Sequence, residues 1–503
     1  MGFSSTKSKQ ITPLSFNPSG GLNLSLPPHA IADNELSSAY NMIYSPSNGV
    51  ITTRPPFRCY TATPLPGAIN NLHPYKDYLM CSCANGKLYA LDLAPASGTF
   101  GTFVELSSLS STASFLNFND KLLFADGSGL YSWDGNTVTA TVTTILDSGT
   151  TPAMQPNVIS EVANRVVIND YDDPDAIYLS GPEDETDWDT AANAVGLRAG
   201  YGDDMAVNGI AVLGQDVIVS KVGKGRRFLY RVNVSGPSTG WSVQNLIADS
   251  SATGPLLITP IPNNVMYINE DSELRGVAGI QEYGDLKMIN AGEKINPGLV
   301  QLDRDGYSPS MLRYLPSYDI LACICSGRIY AFHHSTGRFT YFDGLSSGIN
   351  IVSGCDYNND PVWGGSNGHI YEWVDSGLPD SPTRTTTKDY ESRVRSKTYT
   401  MPGEMLLKKS YLNVVHVAEG SGRLEVSETI IKKFSLDAPG WYLFDADMDL
   451  YDATMDLYTA DINSQTLSIR NRVRKKDFYF ELITNSGRVG LNYVNANLSM
   501  VNG

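Results

Sequence analysis

"YLMCSCANGKLYALD", residues 78–92, contains the pattern that decides the fold of this chain. It reads as an apolar strand, a glycine turn and a second strand that opens with a basic residue, an aliphatic residue and a tyrosine. The same pattern returns in "DILACICSGRIYAFH" (319–333), and its second half returns in "DGSGLYSWDG" (126–135) and "GSNGHIYEWVD" (365–375). The kernel shared by all four stretches ends at Tyr89, Tyr131, Tyr330 and Tyr371.

The spacing of this kernel indicates a repeat. The first two kernel tyrosines are 42 residues apart and the last two are 41 apart, with weaker units around Tyr178, Tyr230 and Leu274 between them. Seven units at such spacings are typical of β-propeller blades. A four-stranded blade has two apolar faces and cannot cover both alone, so blades pack radially into a ring.

We therefore predict an all-β chain with a propeller, of seven blades, over residues 67–380. The kernel tyrosine is expected to pack its ring between blades while its hydroxyl reaches water or a backbone group. The alternative is a set of unrelated hairpins whose glycine turns imitate a repeat.

The residue pattern changes in the C-terminal part of the chain, after residue 376. Residues 376–387 are rich in Pro, Ser and Thr, and residues 381–503 then alternate polar and apolar side chains. This alternation is typical of half-buried antiparallel strands, so we predict a β-sandwich-like platform domain, with a barrel as the alternative. Inserted in it is the acidic stretch "WYLFDADMDLYDATMDLYTAD" (441–461).

The acidic insert has some of the spacing of a calcium loop. Asp445, Asp447 and Asp449 follow the D-x-D-x-D pattern, but Leu450 replaces the glycine and Asp456 replaces the final glutamate of such loops. We predict no metal here and favour an exposed acidic loop or hairpin. Its interleaved apolar residues would also suit contact with a partner.

Composition excludes several classes of protein. A net charge of -16 argues against a general nucleic-acid binder, which needs a basic surface. We expect neither membrane insertion nor export, because no segment is apolar for long enough and the N-terminus lacks an apolar leader core. The six cysteines include two C-x-C pairs, which could hold zinc, but reduced thiols on buried strands are the favoured interpretation.

Signatures of enzymes are missing from the sequence. There is no P-loop, no G-x-S-x-G and no H-E-x-x-H, and the chain has only six histidines. The acidic stretch "PEDETDWD" (182–189) could line a site, but a solvated loop is favoured. We predict no catalytic residue, no cofactor and no enzymatic activity.

The N-terminal segment reads as a compact anchor module over residues 1–66. In "NELSSAYNMIYSPSNGVITTRPPF" (34–57), Asp33 is expected to cap a helix that begins at Asn34. "VITTR" is expected to form a strand that Pro55 and Pro56 end. Because this segment has too few apolar residues for its own core, we predict that it pairs with the C-terminal domain.

The anchor carries a resemblance to a known family. Its motifs are Gly20-Gly21-Leu22, Pro27-Pro28, Asp33 with Glu35-Leu36, Asn41-Met42, Gly49 with Ile51, and Arg54-Pro55. They are similar to the opening segment of the tail nozzle (tail hub, packaged-DNA stabilisation) proteins of short-tailed bacteriophages. Pro56 stands where that family usually has glycine. The resemblance extends to the order of parts along the whole chain and to "RSKTYTM" (395–401).

The resemblance implies a structural virion protein of the tail, assembled in the cytoplasm of the host bacterium. Such proteins form homohexameric tubes below the portal and its adaptor ring, retain packaged DNA and serve as the conduit for its ejection. The implied partners are portal and adaptor proteins, tail fibre or distal tail proteins, and double-stranded DNA that passes without sequence-specific binding. An acidic lumen would repel phosphate and let DNA slide.

Two groups of residues become candidates for contacts. The anchor candidates are Asp33, Leu36, Tyr40, Asn41, Gly49, Arg54 and Pro55. The candidates for contact with the lumen or a partner are Asp445, Asp447, Asp449, Asp452, Asp456, Asp461, Met448, Tyr451 and Tyr458.

The rival hypothesis is a propeller that binds glycans or degrades polysaccharide in the virion. Such a site needs aromatic residues and carboxylates that converge in a pocket. The available tryptophans are Trp188, Trp241, Trp363 and Trp373. Tryptophans in blades more often pack between sheets, so the structural role is favoured.

Overall fold

The computed structural model describes residues 11–45, 49–95, 97–141, 154–190, 193–248, 250–279, 286–345, 349–374, 379–436 and 464–500. The fold is all-β, as predicted, and the described residues include one α-helix and two short 3₁₀ helices. The chain divides into two compact units. Unit 1 comprises the described residues of 1–58, 330–346 and 373–503, and unit 2 those of 59–329 and 347–372.

The N-terminal strands are short. They are β1 (Ile11–Phe16), β2 (Gly21–Leu22), β3 (Glu35–Tyr40), β4 (Met42–Tyr44), β5 (Ile51–Thr53) and β6 (Phe57–Cys59).

Unit 2 begins with five antiparallel sheets, each made of four consecutive strands. They are β7 (Ile69–Tyr75), β8 (Tyr78–Cys83), β9 (Lys87–Asp92) and β10 (Phe103–Ser108); β11 (Ser114–Phe118), β12 (Lys121–Ala125), β13 (Leu130–Trp133) and β14 (Val138–Ala140); β15 (Ile159–Val162), β16 (Arg165–Asn169), β17 (Ala176–Leu179) and β18 (Val195–Arg198); β19 (Ala206–Leu213), β20 (Asp216–Gly223), β21 (Arg226–Asn233) and β22 (Val243–Ala248); and β23 (Ile258–Ile261), β24 (Asn264–Ile268), β25 (Leu274–Gly279) and β26 (Leu286–Ile289). A 3₁₀ helix, Ser238–Gly240, precedes β22.

The next elements are helix α1 (Asn296–Arg304), the paired strands β27 (Pro309–Leu315) and β28 (Ile320–Cys325) with the 3₁₀ helix Pro316–Tyr318 between them, and then β29 (Arg328–His333) and β30 (Arg338–Asp343). Three further strands pair in order: β31 (Ile351–Tyr357), β32 (Asp360–Gly365) and β33 (Ile370–Trp373).

The first strands of these groups contact one another in chain order. Contacts run from β7 to β11, β15, β19, β23, β27 and β31, and β31 in turn contacts β7. Side-chain amides join neighbouring groups: Asn71 Nδ2 donates to the carbonyl of Ala113 (2.9 Å), and Asn208 Nδ2 donates to that of Ala252 (2.6 Å). The buried apolar clusters lie between neighbouring sheets, so both faces of each of the first four sheets contribute to the core.

The repeated kernel has a physical role in the hairpins of unit 2. Asn85 Nδ2 donates to the hydroxyl of Tyr89 (2.9 Å), and Asn367 Nδ2 donates to that of Tyr371 (2.9 Å). In both hairpins, a turn residue four positions earlier therefore holds the tyrosine. The sequence predicted water or a backbone group as the hydroxyl's partner; these two hydroxyls instead accept a hydrogen bond from an asparagine within the turn.

The C-terminal strands belong to unit 1 and include two very long ones. They are β34 (Asp380–Thr383), β35 (Thr386–Lys388), β36 (Ser392–Ser396), β37 (Tyr399–Val426), β38 (Thr429–Leu436), β39 (Ser464–Phe478) and β40 (Phe480–Met500).

Strand β40 organises the sheet of unit 1. It pairs with β37 along most of its length and also with β1, β5 and β36. Strand β37 also pairs with β38 and β39, while β3 lies antiparallel to β36 and parallel to β2. Strands from residues 11–53 thus share one sheet with strands from residues 392–500.

The predicted helix at Asn34 is wrong. Asp33 and Asn34 lie in a turn, and Glu35–Tyr40 form β3. Partners distant in the sequence satisfy the backbone of this segment, so the pairing overrides the local helix signal. The buried carboxylate of Glu35 accepts hydrogen bonds from the Ala32 amide (2.9 Å) and from Asn23 Nδ2 (2.8 Å), which stabilises the turn.

Candidate functional site

Arg54 is the centre of a buried cluster in unit 1. Only 1% of its side chain is exposed, and its guanidinium makes a bidentate ion pair with Asp380, with Nη1–Oδ1 at 2.9 Å and Nη2–Oδ2 at 2.6 Å. Oδ1 of Asp380 also accepts a hydrogen bond from the backbone amide of Phe57 (2.8 Å). One carboxylate at the start of β34 therefore fixes the segment that follows β5.

Aromatic rings cover the guanidinium of Arg54. Its central carbon lies 4.5 Å from the ring centre of Phe57 and 4.1 Å from that of Tyr390. The hydroxyl of Tyr390 donates to the Arg54 carbonyl (2.7 Å). Burial by itself lowers the pKa of Arg54, but Asp380 more than offsets this, so the net pKa is raised and the side chain stays charged.

Asn41 extends the cluster to two further segments. It adopts a left-handed backbone conformation, with φ of 53°, which asparagine tolerates better than most residues. Its Oδ1 accepts from Arg54 Nε (3.2 Å), its Nδ2 donates to the Glu391 carbonyl (2.7 Å), and its backbone amide donates to the Tyr341 carbonyl (2.8 Å). Asn41 thus links β3, the approach to β36, and β30.

Of three other anchor candidates, Pro55 and Tyr40 are next to Arg54 and Asn41 in the sequence, and Leu36 lies further along β3. Pro55 is buried and its carbonyl accepts from Arg54 Nη1 (2.9 Å). Leu36 is fully buried in β3. The ring centre of Tyr40 lies 5.6 Å from that of Tyr341 in a tilted arrangement, and burial together with nearby Asp343 raises the pKa of Tyr40 to about 12.

The last two anchor candidates lie elsewhere in unit 1. Asp33 is exposed and pairs with Lys397 (2.7 Å). Gly49 has a φ of 65°, and its carbonyl accepts from Arg338 Nη1 (2.8 Å). The structure therefore brings Asn41, Arg54 and Pro55 together, whereas Asp33 and Gly49 make separate contacts.

Sequence reasoning missed Asp380 and Tyr390. Both lie in or just after residues 376–387, whose Pro, Ser and Thr content marked a change in sequence pattern and no contact. No local pattern marks Asp380 as the partner of an arginine more than 300 residues away. Chemically, the cluster has no exposed nucleophile or base, and what it can do is hold five chain segments together.

The acidic insert lies outside the described residues. All nine lumen or partner candidates, from Asp445 to Asp461, fall within residues 437–463, which the structure does not describe. Their proposed roles stay predictions from the sequence.

The described residues contain no group of three or more His, Cys, Asp or Glu side chains arranged to hold a metal. All six cysteines are free and buried. Within the same described ranges, no helix combines the length and apolar character needed to cross a membrane.

The stretch 182–189 is more ordered than the predicted solvated loop. Glu185 is buried and accepts from Lys121 Nζ (2.5 Å), and buried Trp188 donates through Nε1 to the Glu185 carbonyl (2.9 Å). The prediction is wrong for these two residues because Trp188 packs into the core between the second and third sheets. A neighbouring cavity of about 320 Å³ includes Glu161 and Glu183 in its lining but no tryptophan.

The three other candidate tryptophans, all within the described residues, give no exposed aromatic platform. Trp363 and Trp373 are 0% and 4% exposed, and Trp241 packs against the core shared by the third and fourth sheets. These side chains contribute to packing, as the sequence analysis favoured.

The described residues thus form an all-β protein. Unit 2 contains consecutive four-stranded sheets, and unit 1 contains a sheet with long strands and the buried cluster around Arg54. No family model and no curated protein matches the chain. Solved structures with similarity include the designed protein Ika8 (12% identity, TM-score 0.37, covering 63% of this chain and 99% of that one). The WD40 β-propeller domain of Doa1 matches at 10% identity and a TM-score of 0.40, over 64% of this chain and 97% of that one.

A third similar structure is PorZ, a surface component of the type-IX secretion system of Porphyromonas gingivalis. It matches at 12% identity with a TM-score of 0.36, over 68% of this chain but only 42% of PorZ.

Proposed function

We propose that residues 67–380 form a seven-bladed β-propeller. Two observations support this architecture: the four-stranded sheets follow one another along the chain, and the contacts among first strands run from β7 through β31 and back to β7. Apolar clusters between consecutive sheets are the packing that a propeller requires.

We propose that the chain is a non-enzymatic structural protein of a phage virion, the tail nozzle or hub below the portal and adaptor. The observation that carries this proposal is the anchor cluster. The motif residues Asn41, Arg54 and Pro55, on which the family resemblance rests, meet in one buried network with Asp380 and Tyr390. If this chain shares the architecture of that family, the residues of the motif are expected to have a structural role in common.

In this function the protein works as a homohexameric conduit. The sheet that joins residues 11–53 to residues 392–500 would form the ring platform, which contacts the adaptor on one side and fibre or distal tail proteins on the other. The net charge of -16 suits a channel through which DNA slides, because carboxylates repel phosphate and do not hold it.

The test is the mass and symmetry of the purified protein and of virion tails that contain it. Native mass spectrometry and electron microscopy should show a sixfold ring. A species that stays monomeric at every concentration and in the particle would overturn the proposal. A monomer that also releases sugars from polysaccharide would favour the glycan-degrading alternative instead.

A second arm of this test uses the anchor cluster. Arg54→Met should reduce ring formation, because the platform loses its internal support, whereas Lys397→Met should leave ring formation intact. Lys397 pairs with exposed Asp33 in the same unit, which makes it a matched control. If both variants form rings equally well, the anchor cluster is not needed for assembly.

A further inference from the structure

Unit 2 contains a cavity of about 170 Å³ that the first strands of successive groups surround. We call it the central cavity. Its lining includes Asn71 and His73 on β7, Ser160 on β15, Thr259 on β23 and Arg313 on β27. One water occupies about 30 Å³ in the liquid, so the cavity can hold a small ion with a few waters.

Among the described residues that line this cavity, Arg313 is the one that carries a full charge at neutral pH. Its Nη2 donates to Asn71 Oδ1 (2.9 Å). Its Nε is buried, and in the part of the chain that the structure describes it has no hydrogen-bond partner. Across the same described ranges, no carboxylate forms an ion pair with Arg313.

Another buried cation of unit 2 is compensated very differently. Lys221 is fully buried, and its Nζ lies 2.7 Å from Asp175 Oδ1 and 2.8 Å from Asp203 Oδ1. Two carboxylates therefore meet this one ammonium. A buried charge is costly unless an opposite charge or several hydrogen bonds meet it, and within the described residues Arg313 has one such bond.

The surroundings of Arg313 keep the local potential positive. Burial lowers the pKa of Arg313, opposed only by the thiol of Cys355, but an arginine in a protein does not give up its proton. Burial and Arg313 together lower the pKa of His73 to about 4, although the hydrogen bond that His73 Nε2 donates to Asn117 Oδ1 acts to raise it. At neutral pH, His73 is therefore neutral and Arg313 remains a charge in need of a counter-ion.

We propose that the central cavity binds a small oxyanion of the size of phosphate or a carboxylate through the guanidinium of Arg313. The Nε–H and the remaining Nη–H groups form a planar fork that matches the oxygens of such an anion. The hydroxyls of Ser160 and Thr259 lie in the same lining and are available as further donors. This inference does not depend on the proposed virion function.

The first experiment measures binding of inorganic phosphate to the full chain by titration calorimetry, with sodium acetate in a parallel arm. The protein should bind at least one of the two, and Arg313→Met should weaken that binding at least tenfold. Arg275→Met is the matched control, because Arg275 lies in the same unit but pairs with Glu273. Tighter binding of phosphate would identify the anion as phosphate-like, and tighter binding of acetate as a carboxylate.

A second measurement keeps the proposal testable if Arg313→Met fails to fold. In the unchanged protein, phosphate or acetate at Arg313 should raise the pKa of His73, read by NMR, because the anion offsets the guanidinium charge. Besides Arg313, the groups that face His73 are Asn117 and the ring of Phe115, neither of which titrates.

Phosphate also stabilises proteins generally by exclusion from their surface. The thermal readout is therefore the difference between the protein and its Arg313→Met variant. Equal stabilisation of both, or a His73 pKa that stays constant up to saturating anion, would overturn the site.

Discussion

At the scale of single residues, Arg54 and Asp380 carry the largest predicted effect on stability. Arg54→Met leaves the carboxylate of Asp380 buried without its cation, and we expect a loss of about 3–5 kcal/mol in the free energy of unfolding of unit 1. Urea unfolding followed by hydrogen exchange in β5 and β34 measures it. Lys397→Met, which removes a partly exposed pair, should cost little by comparison.

A double variant tests whether the loss comes from the unpaired charge. Arg54→Met with Asp380→Leu removes both charges, so unit 1 should recover much of the stability lost in the single variant. Losses that simply add up would contradict this account of the pair.

His73 makes the stability of unit 2 depend on pH. Its pKa of about 4 in the folded protein lies below the ordinary value of 6.5, so between these values the unfolded chain binds a proton that the folded chain does not. Stability from this residue is therefore complete above pH 6.5 and falls as the pH drops towards 4. At about 1.4 kcal/mol per pKa unit, the loss reaches up to about 3 kcal/mol.

The comparison that isolates this residue is His73→Gln, which has no group that titrates in this range. Between pH 7 and 4, the protein should lose more stability in urea than the variant loses. If the protein and the variant lose the same stability between pH 7 and 4, His73 protonates as easily in the folded state as in the unfolded one.

At the scale of elements, the asparagine–tyrosine bonds give the hairpin repeat its physical basis. Asn367→Ala leaves the hydroxyl of fully buried Tyr371 without the amide that donates to it, and we expect a loss of about 1–2 kcal/mol. Thermal unfolding of the intact protein measures it. Asn136→Ala is the matched control, since Asn136 lies in an exposed turn and its backbone amide makes the bond to Asp134.

Hairpins were the elements that the sequence predicted best. The kernel of glycine, aliphatic residue and tyrosine is local, so the turn and both strands around Tyr89 or Tyr371 can be recognised within fifteen residues. The segment at 34–40 was predicted wrongly for the opposite reason. Its strand depends on partners at Gly21–Leu22 and Arg393–Ser396, and the nearer helix signals from Asp33 and Glu35 carry no information about them.

The anchor was predictable in part. The motifs drew attention to Asn41, Arg54 and Pro55, but the role of Arg54 depends on Asp380 and Tyr390, which the chain brings to it only when folded. The cation of the central cavity was not predicted at all. Arg313 lies in an ordinary strand pair, and its isolation from carboxylates is a property of the surrounding strands.

At the scale of the whole molecule, the acidic insert yields a prediction that rests on sequence alone, because residues 441–461 lie outside the described part. Six aspartates occur there without a lysine or arginine, and a sixfold ring would multiply their field against phosphate. Replacing Asp445, Asp447, Asp449, Asp452, Asp456 and Asp461 with asparagine should alter DNA retention in assembled particles.

Salt dependence distinguishes a field effect from a packing effect. The change in retention should fade at high ionic strength, where Coulomb interactions are screened. If particles with the six replacements retain and eject DNA normally across a range of salt concentrations, this prediction is wrong. That result would favour a surface hairpin folded on its own domain.

The pairing of Ile11 with Ser499 has a consequence for the time course of synthesis. Strand β1 leaves the ribosome early, but the strand that it pairs with is made about 480 residues later, which takes roughly 25 to 100 s at 5–20 residues per second. Once residue 372 has been made, every described strand of unit 2 is available for pairing, while Phe16 in β1 still lacks its partner Val494 in β40. Strand β1 thus waits for its partner much longer than the strands of unit 2 wait for theirs, and its apolar side chains need protection during that time.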